Sequence, residues 1–162
     1  MTKRMKMRNR IIKTYLGFLI LAFSFSIYAK NLTFQDYPVR TYTGKNQPLK
    51  LTPQSRKYRT IFKQMSRQQL NFAGQYVLEI VGCGGGCSFA LVYNAKTGQS
   101  FILPDTFADC YSKEKGFQQN DIFFQKGSRL VVATGSRYGK QEKCETVHYL
   151  VEQDHFKQIL KY

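Results

Sequence analysis

Four cysteines constrain the fold of this chain more than any other feature of its sequence. The chain has 162 residues, and these cysteines are Cys83, Cys87, Cys110 and Cys144. The first two bracket three consecutive glycines in the segment VGCGGGC. Disulfides persist in oxidising compartments and are rare in the cytosol, so the chemistry of these cysteines depends on where the chain folds.

The first 29 residues have the pattern of a secretory signal. Residues 1–15 carry six cations and no acid, whereas residues 16–29, LGFLILAFSFSIYA, are uncharged, mostly apolar and end on an alanine. A basic segment, an apolar segment and a small final residue are typical of a signal peptide. This apolar segment is also shorter than the ~20 residues of a membrane-spanning helix. We predict a signal peptide over residues 1–29 and a periplasmic or secreted location. Retention of the leader as a membrane anchor stays open, because the isoleucines before Lys13 could lengthen the apolar segment.

The mature chain, residues 30–162, is long enough for a single domain with a sizeable core. Without the six leader cations, 19 cations remain against 10 acids, which leaves a net charge near +9. A strongly cationic surface attracts anionic partners, such as an acidic protein, an anionic lipid or an envelope polymer. We expect no nucleic-acid partner, because aromatic residues on predicted strands are typical of a core and nothing else in the sequence supports base stacking.

One amphipathic helix is predicted, over LTPQSRKYRTIFKQMSRQQL. Thr52 is a suitable N-cap, and Pro53 fits the first helical position, where its missing N–H costs nothing. At about 100° per residue, two sets of side chains lie on opposite sides of this helix. The apolar set is Tyr58, Ile61, Phe62 and Met65, and the basic set is Arg56, Arg59, Lys63 and Arg67. The basic set is typical of the solvated face of a helix that packs on a sheet, and a contact with an anionic surface is the alternative.

The rest of the mature chain has the pattern of strands joined by tight turns. A central strand buried on both faces is predicted over GQYVLEIVG, in which Glu79 is the one charge. Three hairpins follow, with turns predicted at residues 94–98, 126–127 and 153–154. Residues 105–119 lack periodicity and predict a long loop pinned by Cys110. We predict an α+β fold, mainly an antiparallel β-sheet built of consecutive hairpins, with one N-terminal amphipathic helix packed on it.

An even number of cysteines in an exported chain favours disulfides over free thiols. We favour Cys83–Cys87 together with Cys110–Cys144, because the first pair can be bridged across a turn. The glycines fit this pairing, since glycine adopts the positive φ of a tight ring at little cost. The two bonds would stabilise the fold by roughly 2 and 4 kcal/mol respectively. Either the weaker bond rigidifies an exposed tip for contact, or the pairing crosses, as in Cys83–Cys144 with Cys87–Cys110.

Other interpretations of VGCGGGC fit less well. A zinc site uses two close pairs of ligands, but Cys110 and Cys144 are 34 residues apart. A redox pair has two residues between its cysteines and lies at a helix start, whereas this segment lies between two predicted strands. A phosphate-binding loop opens a helix, and the following SFALVY predicts a strand. The amides of Gly84, Gly85 and Gly86 could still form a small anion-binding nest, so these glycines are candidate binding residues.

The second candidate binding segment is TGSRYGKQEK, residues 134–143. It differs from a P-loop, because three residues rather than four separate its glycines and Gln141 stands where a magnesium-binding hydroxyl belongs. Its Arg137, Tyr138 and Lys140 could nevertheless hold an anion.

No set of residues in the sequence predicts catalysis. His148 lies in a predicted strand and His155 in a predicted turn, and this spacing suggests no metal site. Asp105 and Asp109 could pair for acid–base chemistry, but such a pair needs a cleft and a shifted pKa. We predict no catalytic residue, no metal and no cofactor, and we expect that the protein is not an enzyme.

About half of the mature chain resembles a group of small exported bacterial proteins. The resemblance spans residues 36–98 and is carried by DYPVRTYTGKNQPLKL, SRKYRT, NFAGQYVLEIVGCGGGC and YNAKTG. The signature of the group is Phe-Ala-Gly-x-Tyr, an apolar strand, a Gly-Cys-Gly-x-x-Cys turn and a Lys-Thr-Gly hairpin. The group has no assigned activity, so the resemblance implies no catalytic residue. Many members have an aromatic residue before the Gly-Cys-Gly, where this chain has Val81.

Two functions fit these features. The first is a non-enzymatic exported binding protein with a protein partner in the envelope, for example an inhibitor or immunity protein acting against a cell-wall-targeting enzyme in the periplasm. The second is an envelope protein that binds an anionic polymer or lipid through the basic helix face and residues 137–143. A thiol–disulfide redox protein is a third interpretation, which requires a reactive pair of cysteines.

Overall fold

The computed structural model describes residues 32–137 and 143–161. The predicted signal peptide, residues 1–29, and the predicted binding residues Tyr138 and Lys140 lie outside the described residues. Within the described ranges, no helix is both long enough and apolar enough to cross a membrane. These residues belong to one compact unit.

Antiparallel strand pairs make up most of the described chain. In chain order the strands are β1 (Tyr76–Gly84), β2 (Cys87–Asn94), β3 (Ser100–Ile102), β4 (Phe107–Ala108), β5 (Cys110–Ser112), β6 (Gly116–Gln118), β7 (Asp121–Phe124), β8 (Leu130–Arg137), β9 (Glu145–Glu152) and β10 (His155–Lys161). One sheet has the order β1-β2-β4-β8-β9-β10, in which β3 also pairs with β2 and β7 with β8. A second sheet consists of β5 and β6. The prediction of a mainly antiparallel sheet is confirmed.

The three predicted hairpins are confirmed, and two of their turns contain residues with a left-handed backbone. β2 pairs with β3, β7 with β8 and β9 with β10. Gly98 has a φ of 80°, and a side chain there would overlap the carbonyl oxygen of Pro48. Gln153 and Asp154 both have positive φ, a pattern that matches the twist of a β-hairpin. The carboxylate of Asp154 accepts a hydrogen bond from the side chain of Asn94, which joins two of these turns.

The helix is shorter than predicted, and it is not N-terminal. A 3-10 turn, Ser55–Tyr58, leads into α1, Arg59–Met65. Upstream of these elements, the chain forms bridges to other parts of the fold at Pro38 and Lys50. These residues are extended because their backbone pairs with distant segments. The prediction of an N-terminal helix is therefore wrong.

Side chains hold both ends of the helical segment. The hydroxyl of Thr52 accepts the backbone N–H of Ser55 at 3.2 Å, as an N-cap does. At the other end, the side-chain amide of Asn46 donates to the carbonyl oxygen of Ser66 at 2.9 Å. The last carbonyl groups of a helix have no partner within it, so this contact satisfies one of them where α1 ends.

The two predicted faces of the helix are confirmed. Phe62 and Met65 are fully buried, in a core that also contains Val77 and Tyr93 of β1 and β2. The opposite side is exposed, and we call its four cations the basic helix face: Arg56, Arg59, Lys63 and Arg67.

A second core lies on the other side of β1 and β2. Leu78 and Val92 from this half of the sheet belong to the same buried cluster as Val131 of β8 and Val147 of β9. The sheet therefore bends so that its two halves face each other across this core. Aromatic rings fill the space, and Phe72 contacts three of them, those of Tyr76, Phe124 and Phe156.

β1 is an edge strand and not the central strand that its apolar sequence predicts. Within residues 32–137 and 143–161, its partner strand is β2, and Tyr76 at its start also forms an isolated bridge with Phe72. Its first three residues are buried, because Val77 faces the helix and Leu78 faces the second core. From Ile80 onward most of the strand is exposed. Burial by a helix and by the facing half of the sheet thus produces the same apolar pattern as burial between two strands.

Residues 105–119 contain short strands, so the prediction of a long loop is wrong. β4 joins β2 to β8 through two residue pairs on each side, and β5 and β6 form a short hairpin. Strands of two or three residues are too short to show an alternating pattern in a sequence. The predicted pinning by Cys110 is confirmed, since this residue forms a disulfide with Cys144.

Candidate functional site

The segment VGCGGGC forms the tip of the β1–β2 hairpin, and we call residues 82–87 the glycine tip. The last paired residues of the two strands are Gly84 and Cys87. Gly84, Gly85 and Gly86 have φ values of 88°, 56° and 71°. Only glycine adopts such a left-handed backbone at three successive positions without strain. All residues of the tip except Cys87 are exposed, so the tip projects into solvent.

Two disulfides join the four cysteines in the favoured pairing, which is confirmed. Cys83 and Cys87 close the base of the glycine tip, with their Cα atoms 5.3 Å apart. Cys110 of β5 is joined to Cys144, which precedes β9, with a Cα separation of 5.4 Å. Both separations lie in the usual range for a disulfide. None of the four cysteines is a free thiol, and the crossed pairing is wrong.

Three polar side chains support the glycine tip, and we call Ser88, Asp109 and Asn120 the buttress. The side-chain amide of Asn120 donates to the carbonyl oxygen of Gly86 and to Oδ1 of Asp109, each at 2.7 Å. The backbone N–H of Asp109 donates to the same carbonyl oxygen at 2.8 Å. The hydroxyl of Ser88 donates to the side-chain oxygen of Asn120. A Cβ on Gly86 would overlap the carboxylate of Asp109, so glycine is required for this close approach.

The top of the glycine tip is open. A Cβ built on Gly84 or on Gly85 would meet no other atom within 4 Å. The base of the tip is therefore held by a disulfide and by two hydrogen bonds to the carbonyl oxygen of Gly86, while two further hydrogen bonds join the buttress side chains to one another. The top of the tip is free to enter a cleft.

Arg137, at the end of β8, lies in a cluster of charged side chains. Its Nε is 2.8 Å from Oε2 of Glu145, and its Nη1 is 3.1 Å from Oδ2 of Asp105. The ammonium group of Lys161 is 2.8 Å from the other carboxylate oxygen of Glu145. The hydroxyl of Tyr149 donates to Asp105. We call the four charged residues the ion cluster; its two cations and two anions balance.

Burial and hydrogen bonding act in opposite directions on the ion cluster. Burial opposes ionisation of Glu145, but hydrogen bonds from Lys161 and Arg137 outweigh it and hold the pKa of Glu145 below its usual value. Burial also disfavours the charged guanidinium of Arg137, but the hydrogen bonds to Glu145 and Asp105 raise its pKa. Burial and the hydrogen bond to Asp105 raise the pKa of Tyr149, so its hydroxyl stays protonated and donates. The cluster joins the end of β8 to the start of β9.

The structure separates the other residues considered as candidate sites. The carboxylate of Asp105 contacts Arg137, whereas that of Asp109 contacts the buttress, so the two aspartates have different partners. Arg137 directs its guanidinium to carboxylates of the chain itself. His148 is buried, and this burial lowers its pKa, whereas His155 is exposed.

The sequence alone did not indicate Ser88 or Asn120 as part of a site. Asn120 precedes a predicted strand, where asparagine is an ordinary turn residue. Its contact with Gly86 joins positions 34 residues apart, so only the tertiary structure reveals it.

These features define a disulfide-braced, mainly antiparallel β protein with a supported glycine tip and a charge-balanced ion cluster. No protein-family profile matches the chain, and no curated protein or solved structure matches it either. Across residues 32–137 and 143–161, no group of three or more His, Cys, Asp or Glu side chains is placed to hold a metal ion. The two disulfides are consistent with an exported protein.

Proposed function

We propose that this chain is an exported, non-enzymatic binding protein, an inhibitor or immunity protein that acts against a cell-wall-targeting enzyme in the periplasm. The glycine tip is the observation that carries the proposal. Its base is closed by the Cys83–Cys87 disulfide and held by the buttress, and its top is open. A loop that is already held in one conformation loses little conformational entropy on binding, which favours affinity.

The energetics of the first disulfide support this interpretation. A ring of five residues stabilises a fold by only about 2 kcal/mol through loop closure. The bond between Cys83 and Cys87 is therefore better explained by the shape that it imposes on the exposed tip than by its effect on global stability.

We also infer that the chain belongs with the small exported bacterial proteins that it resembles. Two motifs of their signature correspond to structural features here. The Gly-Cys-Gly-x-x-Cys turn lies in the glycine tip, and the Lys-Thr-Gly motif lies in the turn between β2 and β3.

An inhibition assay tests the proposed function. Purified peptidoglycan is digested by a panel of muramidases, amidases and endopeptidases, with and without the oxidised protein, and the release of soluble fragments is followed. We expect near-stoichiometric inhibition of one enzyme class. Full activity of every class at a large molar excess of the protein would contradict inhibition of cell-wall hydrolases.

Two matched variants isolate the glycine tip. Gly85→Tyr adds a bulky side chain at the top of the tip. Gly116→Tyr adds the same side chain at another open glycine with positive φ, 70°, at the start of β6. Both variants impose backbone strain, but only Gly85→Tyr should weaken inhibition, by about tenfold or more, which corresponds to ~1.4 kcal/mol. Equal inhibition by the two variants would show that the glycine tip is not part of the binding surface.

The basic helix face supports a second candidate function, the binding of an anionic polymer or lipid of the envelope. Its four cations are exposed, and none forms an ion pair with a carboxylate of the described residues. Attraction between such a face and an anionic surface weakens as salt screens it. Co-sedimentation with anionic and with neutral vesicles tests this function. If the basic helix face binds an anionic surface, the protein should bind anionic vesicles but not neutral ones, and salt should weaken this binding. The double variant Arg59→Glu/Lys63→Glu should lose it. Failure of the protein to bind either kind of vesicle would contradict this function.

A further inference from the structure

Part of the outer side of β1 has no hydrogen-bond partner in the described chain. Near the start of this strand, Tyr76 exchanges backbone hydrogen bonds with Phe72 on the side away from β2. The direction of the backbone groups alternates along a strand of an antiparallel pair. The N–H and C=O groups of Leu78, Ile80 and Gly82 therefore also point away from β2.

Asn71 covers only the first of these three positions. Its side-chain Nδ2 donates to the carbonyl oxygen of Leu78 at 2.9 Å, and its Oδ1 accepts the N–H of Leu78 at 2.8 Å. The amide side chain thus takes the place of a neighbouring strand for one residue. Beyond it, no described residue pairs with the outward backbone groups of Ile80 and Gly82, which we call the open edge.

The surroundings of the open edge leave room for a further strand. The side chain of Ile80 is 42% exposed, as one of the few large apolar side chains at the surface of the described chain. Gly82 has no side chain to shield the edge, and the irregularity in the β1–β2 pairing comes only after it. An exposed row of unpaired N–H and C=O groups is a template for an added strand.

We propose that the open edge binds an extended, acidic segment of a partner protein by strand addition, so that the partner's backbone continues the sheet beyond β1. This inference deepens the proposed function and relies on it for the kind of partner. Main-chain hydrogen bonds at the edge would add to the contacts of the adjacent glycine tip.

Charge selects the occupant of the edge. The mature chain has a net charge near +9, so two copies repel each other while an acidic segment is attracted. Lys57 contributes a cation on the helix side of the sheet: its ammonium group is 4.9 Å from the ring centroid of Tyr58, whose ring is 5.2 Å from that of Phe89. Phe89 is the cross-strand partner of Val81. A partner residue opposite Val81 would lie on the same side of the sheet as this cation, and one opposite Ile80 should be apolar, because the side chain of Ile80 is exposed there.

Amide hydrogen exchange, measured by NMR on the oxidised full-length protein, tests the proposal. In the free protein, the amides of Ile80 and Gly82 should exchange much faster than those of Glu79 and Val81, which are bonded to β2. The probe is a short capped peptide of alternating glutamate and valine, and the control peptide alternates lysine and valine. We expect the glutamate peptide alone to slow exchange at the open edge by about tenfold or more, equivalent to ~1.4 kcal/mol.

Three outcomes would overturn the proposal. Slow exchange of both amides in the free protein would mean that the edge is already covered. Slow exchange that appears only at high protein concentration would assign the edge to a second copy of the chain. An edge that the glutamate peptide leaves unprotected would not be a site for strand addition.

Two variants connect this edge to the inhibition assay and separate the two proposals. Ile80→Pro removes the outward N–H, at a position where proline is tolerated because that group points away from the sheet. Ile80→Thr removes the apolar side chain and keeps the N–H. We expect inhibition to fall at least about tenfold further, ~1.4 kcal/mol, for the proline variant than for the threonine variant. If both variants inhibit like the wild type, strand addition is wrong while the proposed function stands. If the glutamate peptide protects the edge but the protein inhibits no enzyme, strand addition stands and the proposed function is wrong.

Discussion

At the scale of single residues, Glu145 determines how the end of β8 meets the start of β9. Its side chain is 1% exposed, and its two oxygens contact Arg137 and Lys161, each at 2.8 Å. A buried charge without a partner is strongly destabilising, so these contacts hold both cations in place. Arg137 therefore has a structural role, because its guanidinium is shared between Glu145 and Asp105.

Neutralising Glu145 should be costly. We expect Glu145→Gln to lower the free energy of unfolding by about 3 kcal/mol, because it removes the buried carboxylate that pairs with the partly buried Lys161 and Arg137. Glu152→Gln is the matched control: its carboxylate lies 3.6 Å from Arg129, and both side chains are more than a third exposed. This control should cost less than about 1 kcal/mol. Denaturant unfolding measures both values, and equal losses would contradict the structural role of Glu145.

His148 should make stability depend on pH. Burial lowers its pKa in the folded chain, so the unfolded chain binds a proton that the folded chain does not. Stability should be complete above about pH 6.5 and fall as the pH drops from there through the folded pKa, by at most about 1.4 kcal/mol per pH unit. Glu145 acts at lower pH, because its pKa lies below the usual carboxylate value.

The variant His148→Gln should remove this dependence of stability on pH. The control variant His155→Gln, which removes an exposed imidazole, should retain it. Thermal unfolding at a series of pH values between neutral and mildly acidic measures the slope. An unchanged slope in His148→Gln would show that another group causes the acid sensitivity.

At the scale of elements, local chemistry predicted the turns but not the position of every strand. The turns at residues 94–98 and 153–154 could be predicted, because their own residues determine the backbone conformation. The edge position of β1 could not, because a helix buries Val77 and the facing half of the sheet buries Leu78. The short helix α1 was predicted too long for a similar reason, since contacts with the distant Asn46 contribute to where it ends.

The candidate site was predicted in part. The bond between Cys83 and Cys87 could be anticipated, because four residues of separation and three glycines suit a bridged turn. The buttress could not, because Asp109 and Asn120 lie far from Gly86 in the sequence and contact it through the tertiary structure.

The two disulfides should differ in their effects on stability and on binding. Loop closure predicts a loss of about 4 kcal/mol for Cys110→Ala/Cys144→Ala and about 2 kcal/mol for Cys83→Ala/Cys87→Ala. Inhibition should be weakened more by Cys83→Ala/Cys87→Ala than by Cys110→Ala/Cys144→Ala, because the Cys83–Cys87 bond shapes the glycine tip directly. Denaturant unfolding and the inhibition assay measure the two orders. The account would be contradicted if Cys83→Ala/Cys87→Ala were the less stable of the two variants, or if it inhibited as well as the wild type.

At the scale of the whole molecule, the two disulfides support the same tip. Cys83–Cys87 closes its base. Cys110, held by its bond to Cys144, directly follows Asp109 of the buttress. Oxidation of all four cysteines therefore braces the tip from two directions. Such bracing is consistent with an exported protein.

Mass spectrometry of the native protein tests this central claim most directly. The protein is recovered from cells, denatured without reductant, alkylated and digested with trypsin. The account predicts no alkylated cysteine, a peptide of residues 68–96 that contains an internal disulfide, and a disulfide between peptides 97–113 and 144–157. Alkylation of both cysteines of either pair, or a disulfide that joins peptide 68–96 to either of the others, would contradict it.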